Sequence, residues 1–117
     1  MPPGARGGRG YVPARGDFLW LEFDPATGHE QRGLRPALAL TPLEYCERTG
    51  LVLACPITSQ RKGYPFEVAI PEGMKISGVV LADLVKSFDY RARRARLAGR
   101  APPELVGEVL ARLHALL

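Results

Sequence analysis

Two polar runs hold the residue types that could do chemistry. One is Gly28-His29-Glu30-Gln31-Arg32-Gly33-Leu34-Arg35-Pro36, and the other is Thr58-Ser59-Gln60. The first offers a carboxylate at Glu30 and a fixed cation at Arg35, with Gly33 relaxing the backbone between them. The second offers hydroxyls. This set suits cleavage of a phosphodiester by the neighbouring 2′-hydroxyl, which points to RNA. That reaction needs a base for the hydroxyl proton, an acid for the leaving 5′-oxygen, and support for a crowded phosphorane. It does not need a metal. Acid–base assistance is worth about 10²–10⁴-fold, and preorganised charge is often the larger contribution.

Glu30 is the natural base, because a carboxylate is ionised at neutral pH. Arg35 presents a planar fork to phosphate oxygens and holds its proton tightly, so it is a clamp rather than an acid. Thr58 and Ser59 can donate hydroxyl hydrogens to a non-bridging oxygen or orient the arginine. Thr58 also has a plainer reading, as a turn residue bonding its own backbone. Gln60 can read a base edge or hold backbone. Lys62 adds a point charge, and Gly33 and Gly63 let an RNA backbone approach. His29 titrates near neutrality but has no assigned role. Asp83 follows an apolar stretch and is expected to cap or brace rather than react.

No metal or cofactor is expected. The acidic residues are scattered, without the paired carboxylates that hold Mg²⁺. The two cysteines and two histidines lack ligand-like spacing. Cys46 has no neighbour in the sequence that would activate it, and Cys55 lies in an apolar stretch where thiols are inert.

These residues need elements to position them. Phe18 to Phe23 alternates, with Leu19, Leu21 and Phe23 on one face and Phe18, Trp20 and Glu22 on the other, so it reads as a strand. Residues 24–34 form a loop long enough to suspect function. Residues 35–43 and 51–57 read as two further strands joined by a polar turn over 44–50. Another polar loop spans 58–64. Pro65 to Ile70 is extended, and strand segments at 78–82 and 84–90 flank Asp83. Pro102 and Pro103 open the one expected helix, Glu104 to Leu116, with Leu105, Val109, Leu113 and Leu116 on one stripe. The expected fold is mainly β with a C-terminal helix: about six short, mostly antiparallel strands in a small SH3-like barrel.

The bulk numbers agree. A chain of 117 residues is one domain's length, and 46% hydrophobic with 24% charged residues excludes a disordered chain. Thirteen glycines and eleven prolines favour many turns over a helical bundle. Residues 1–10 are Gly, Pro and Arg, read as a disordered basic arm before one domain over 11–117. The net charge is +4, and between residues 86 and 100 six basic side chains face Asp89 alone. Such a run favours a polyanion through counterion release. No apolar run approaches the roughly 18 residues of a membrane span, and the first residues lack the apolar stretch of a signal peptide. The expected location is the cytoplasm, with reduced thiols.

The order of motifs then points further. Gly16-Asp17 precedes Trp20; Phe23-Asp24-Pro25 and Glu30 to Pro36 follow; then come Pro56-Ile57-Thr58-Ser59-Gln60, Lys62 to Val68, Leu81-Ala82-Asp83 and Val85-Lys86-Ser87. In this order, from Tyr11 to Leu117, the chain resembles the MazF/PemK family of bacterial toxin endoribonucleases. The resemblance implies a homodimer of SH3-like barrels, a fold shared with CcdB-type toxins. It implies metal-independent cleavage of single-stranded RNA, often mRNA, at short sequences, leaving a 2′,3′-cyclic phosphate and a 5′-hydroxyl. By the same resemblance Arg35 and Thr58 are the central catalytic positions, with Glu30 assisting. Gln31, Lys62, Lys86 and Arg93 join Ser59 and Gln60 as RNA contacts. It also implies a cognate, MazE-like antitoxin whose acidic, disordered tail covers the RNA groove. The alternative is a non-enzymatic toxin of the same barrel that poisons DNA gyrase. The helix end His114-Ala115-Leu116-Leu117 lacks the aromatic terminus such a binder favours.

Overall fold

Alternation in the first strand, β1 (Asp17–Glu22), buries both of its faces. Phe18 and Trp20 face one core, and Leu19 and Leu21 face the other. A strand covered on both sides belongs in the middle of a strongly coiled sheet. In the computed structural model, which describes residues 10–22 and 33–117, β1 has a paired strand on each side.

The order along the chain is β1, β2 (Leu34–Ala39), α1 (Leu43–Thr49), β3 (Leu51–Thr58), β4 (Glu67–Ala69), β5 (Val79–Leu81), β6 (Lys86–Asp89), β7 (Arg96–Arg100) and α2 (Pro103–His114). In space the strands run β4-β5-β3-β2-β1-β7, with β6 also paired to β3. All pairings are antiparallel. β3 is the hinge of this arrangement: Leu51 to Ala54 pair with β6, and Ile57 and Thr58 pair with β5. The strand thereby changes partner along its length, and the sheet curls into a small barrel-like fold with a C-terminal helix.

The expected helix is present as α2. Leu105, Val106 and Val109 are buried against Phe18, Leu38 and Ile57, with Leu110 and Leu113 beside them. Pro103 occupies its first turn, where a missing amide hydrogen costs nothing. Leu116, placed on the apolar stripe, lies past the helix end and is exposed.

Three expectations need correction. The stretch 44–50, read as a polar turn, is the two-turn helix α1. Its one buried side chain is Cys46, whose carbonyl accepts from Tyr90 Oη at 2.8 Å, and Gly50 closes it with φ 75°. The basic run contains a seventh strand, β7, which pairs with β1 around an irregularity at Phe18/Leu19. The strand expected over 84–90 is shorter, because Ala82–Leu84 forms a 3₁₀ turn before β6 begins at Lys86.

A buried carboxylate ties the N-terminal segment to this sheet. Asp17 is 2% exposed, accepts from Tyr11 Oη and from Ala14 N (3.1 Å), and pairs with Arg100 at 3.0 Å. Gly16 N donates to Ala39 O at 2.9 Å, and Ala101 N donates to Gly16 O at 2.8 Å. Tyr11 is thereby sealed in the second core. The arm expected over residues 1–10 lies outside the described residues except for Gly10.

Candidate functional site

Two of the candidate positions named from sequence, Arg35 and Thr58, lie on the neighbouring strands β2 and β3. β2 and β3 pair with Ala37 opposite Pro56, Leu38 opposite Cys55 and Ala39 opposite Ala54. The paired stretch ends at Ala37 and Pro56; counted two residues beyond it, Arg35 and Thr58 fall level, where Thr58 itself pairs with Val79 of β5. Arg35 also pairs with Leu21 of β1, so its backbone is held within the β1–β2 ladder. Its side chain is exposed and Thr58 is half-buried.

Thr58 combines both of its sequence readings. Its Oγ1 accepts from Gln60 N at 3.1 Å, a local turn contact. The hydroxyl hydrogen is not consumed by that bond, so Thr58 can still donate. The backbone behind it is tightly constrained. Gly78 has φ +119°, and a Cβ there would stand 2.3 Å from the Thr58 carbonyl oxygen. Only glycine allows this approach.

The loop after Thr58 is held by a carboxylate that the sequence reading left without a function. Glu67 accepts from Lys62 N at 3.1 and 3.0 Å and from Gly63 N at 2.9 Å. Gly63 supplies the positive φ of 86° that the turn requires. From the other side Arg112 of α2 donates to the Pro65 carbonyl and pairs with Glu108 at 2.7 Å. Two independent anchors therefore fix a segment with almost no apolar content. Ser59, Gln60 and Lys62 are all exposed on it.

This loop borders a groove of about 290 Å³ beside Thr58, lined by Gln60, Lys62, Tyr64, Glu67, Leu81, Asp83 and Leu84. Tyr64 and Leu84 were not singled out from sequence. Their signal is exposure of large apolar surface, which a sequence does not display.

The remaining candidates divide. Arg93 is half-buried at the same end as Arg35: its Nη1 donates to Glu22 O at 3.4 Å, and its carbonyl accepts from Glu22 N at 2.8 Å. Its guanidinium carbon lies 5.9 Å from the centre of the Phe88 ring. Beside it Arg94, the one described non-glycine residue with positive φ, pairs with Glu22 at 3.9 Å. Lys86 is exposed but pairs with Ala54, four residues up β3 from Thr58 and so about 13 Å along the strand. It does not join the Arg35–Thr58 row. Glu30 and Gln31, with His29 and Arg32, lie outside the described residues.

The thiols stand apart from this chemistry. Cys46 and Cys55 are buried and unpaired with each other. Burial, reinforced by the nearby Asp83 charge, pushes the Cys55 thiol up to about 12, and its Sγ donates to Ala82 O at 3.8 Å. Burial raises Cys46 too. No cluster of metal-ligating side chains occurs among the described residues, and no helix among them is long and apolar enough to cross a membrane.

Residues 14–117 match the model of the PemK-like, MazF-like toxins of type II toxin–antitoxin systems. The chain is 47% identical over 107 residues to the endoribonuclease toxin MazF of Escherichia coli strain K12, covering 92% of this chain and 96% of that one. It is 40% identical over 108 residues to the endoribonuclease toxin ChpB of the same strain, covering 87% and 91%. In structure it resembles a MazE–MazF complex from Deinococcus radiodurans, with a TM-score of 0.82, 49% identity, and 91% and 95% of the two chains covered. Matches of this length, spanning both Arg35 and Thr58, show that the chain belongs to the PemK-like, MazF-like toxin family of type II toxin–antitoxin systems.

Proposed function

We propose that this chain is a toxin endoribonuclease that cleaves single-stranded RNA, mRNA included, without a metal and at short recognition sequences. One observation supports the reading above the others: Arg35 and Thr58 lie on the paired strands β2 and β3, and extending their register by two residues brings them level. The fork of Arg35 spans two non-bridging phosphate oxygens. The Thr58 hydroxyl, oriented by Gln60 N, donates to the same group. Negative charge growing on the phosphorane is met by donors that need no rearrangement. Glu30 takes the 2′-hydroxyl proton, and the 2′-oxygen attacks phosphorus. The P–O5′ bond breaks and the departing 5′-oxygen takes a proton from water, leaving a 2′,3′-cyclic phosphate and a 5′-hydroxyl. Gln31, Ser59, Gln60, Lys62, Lys86 and Arg93 contact the strand on either side.

The working unit is residues 11–117, acting in the cytoplasm as a homodimer. A cognate antitoxin with an acidic, disordered tail silences it by covering the RNA groove, and the +4 charge of the toxin steers that tail. Growth inhibition follows from loss of mRNA.

The test is digestion of a long single-stranded RNA in EDTA, with the new 5′-hydroxyl ends mapped. Wild type is expected to cut at a short consensus. Arg35→Ala and Thr58→Ala are each expected to lose about 10²–10³-fold in kcat while keeping the wild-type circular dichroism spectrum. A folded wild type that cuts nothing in EDTA sinks the proposal.

A further inference from the structure

A second cleft opens at the other end of β1. Phe18, Gly73, Met74, Lys75, Gly99 and Arg100 line about 230 Å³ there. Its place is distinct from that of Arg35. Gly99 pairs with Phe18 and Arg100 with Asp17 at the start of β1. Arg35 pairs with Leu21, three residues beyond Phe18 and so about 10 Å along the strand. Phe18 faces the first core and Leu21 the second, so the two positions also belong to opposite faces of β1.

The lining of this cleft holds two cations and no carboxylate. Arg100 is fixed from the inside: its Nε meets Asp17 Oδ1 at 3.0 Å. That buried carboxylate already accepts from Tyr11 and Ala14. One edge of the guanidinium is thereby engaged inward. The side chain is nonetheless 67% exposed, and its two outer nitrogens have no partner among the described residues. Lys75 is exposed and has no partner among the described residues either. Its stem lies beside Gly99, where a Cβ would stand 3.7 Å from Lys75 Cβ and 3.9 Å from its Cδ. Packing over the Phe18 ring accounts for the methylenes of that stem. It does not account for two unmatched cations around one cleft, because like charges repel and Asp17 is engaged.

We propose that this cleft binds a phosphate group, with Arg100 as a fixed fork of two nitrogens and Lys75 as the point charge beside it. The outer guanidinium nitrogens present parallel N–H donors that match two phosphate oxygens. Gly73 and Gly99 bring no side chain into the cleft, so those oxygens can come close. At about 30 Å³ per water, the volume takes a phosphate with several waters. Two sources offer this chemistry. One is the diester backbone of single-stranded RNA away from the cleavage position, and the other is a small free phosphate. The RNA source rests on the function proposed above, whereas binding of inorganic phosphate does not.

The experiment follows backbone amide chemical shifts of the full chain during titration with inorganic phosphate, with chloride holding the ionic strength constant. Saturable shifts at Gly73, Lys75 and Gly99 are expected. Lys75→Glu is expected to weaken that binding about tenfold or more. Arg48→Glu makes the same change of charge on α1 and is expected to weaken it less than about twofold, since salt screens remote charge. An uncleavable single-stranded 2′-deoxy oligonucleotide then identifies the source. A long strand that moves the same three amides assigns the site to the RNA backbone. A long strand that leaves them in place, while inorganic phosphate moves them, assigns it to a free phosphate. Shifts that never saturate, or that weaken equally in Lys75→Glu and Arg48→Glu, overturn the site in favour of diffuse attraction to a basic protein. None of these results touches the nuclease reading, which falls only if folded wild type cuts no RNA.

Discussion

At the level of single residues, the site depends on shape as well as charge. Arg35 has the geometry of a strand residue, and its guanidinium is a fork that a lysine cannot reproduce. Arg35→Lys is therefore expected to keep RNA binding and lose about 10²-fold in kcat, read from single-turnover cleavage. Comparable turnover by the lysine variant would show that charge alone suffices at this position. Thr58 illustrates a different economy. One oxygen accepts the Gln60 amide at 3.1 Å and keeps its hydrogen for another partner. The structural reading and the catalytic reading of this threonine are thus compatible, because a hydroxyl is both acceptor and donor.

At the level of elements, the position of Thr58 is set from behind. Gly78 leaves β3 just enough room, since a Cβ there would stand 2.3 Å from the Thr58 carbonyl oxygen. Gly78→Ala must shift one backbone or the other. It is expected to cost ~1–3 kcal/mol of stability and about 10²-fold in kcat through displacement of Thr58. Denaturant melts and single-turnover kinetics measure the two effects separately, and wild-type turnover in a folded variant would mean that Thr58 absorbs the change. None of this was visible in the chain. Alternating β1 and the apolar stripe of α2 were legible because each repeats its pattern over at least five residues. Arg35 and Thr58 were named through their motifs, and they lie on the paired strands β2 and β3. The helix α1 was not legible, because its two turns bury only Cys46 and draw support from Tyr90, 44 residues away. β7 was hidden among arginines, since a strand whose ends are charged shows no alternation. Glu67 looked like any exposed acid, because its three amide partners are set by the fold of the loop and not by spacing. Lys86 was named as an RNA contact by the resemblance, and its register sets it about 13 Å along the strand from Thr58.

At the level of the molecule, neutral groups are buried where they would resist ionisation. The Cys55 thiol is raised from 9.0 to about 12 by burial and then by Asp83. Cys46, Tyr90 and Tyr11 are shifted the same way, each chiefly by burial. The sign follows from linkage. Unfolded thiols ionise from about pH 9, whereas the folded ones stay protonated, so the unfolded state gains and stability falls as pH rises from about 9 towards 12. The melting temperature is expected to be level between pH 7 and pH 8 and to drop steadily above about pH 9. A flat profile up to pH 11 would contradict this burial. The Asp17 tie belongs to the same scale, since one carboxylate joins Tyr11, Ala14 and Arg100 and so links the chain's start to its last strand.

The ladder that joins β2 to β3 also bears on how the proposed nuclease would be kept quiet. Neighbouring strands of one sheet cannot part without breaking the sheet, so the backbones of Arg35 and Thr58 cannot be drawn apart. On the proposed reading, restraint then has to come from an occupant, and activity should return when that occupant leaves, with no lag beyond the time of departure.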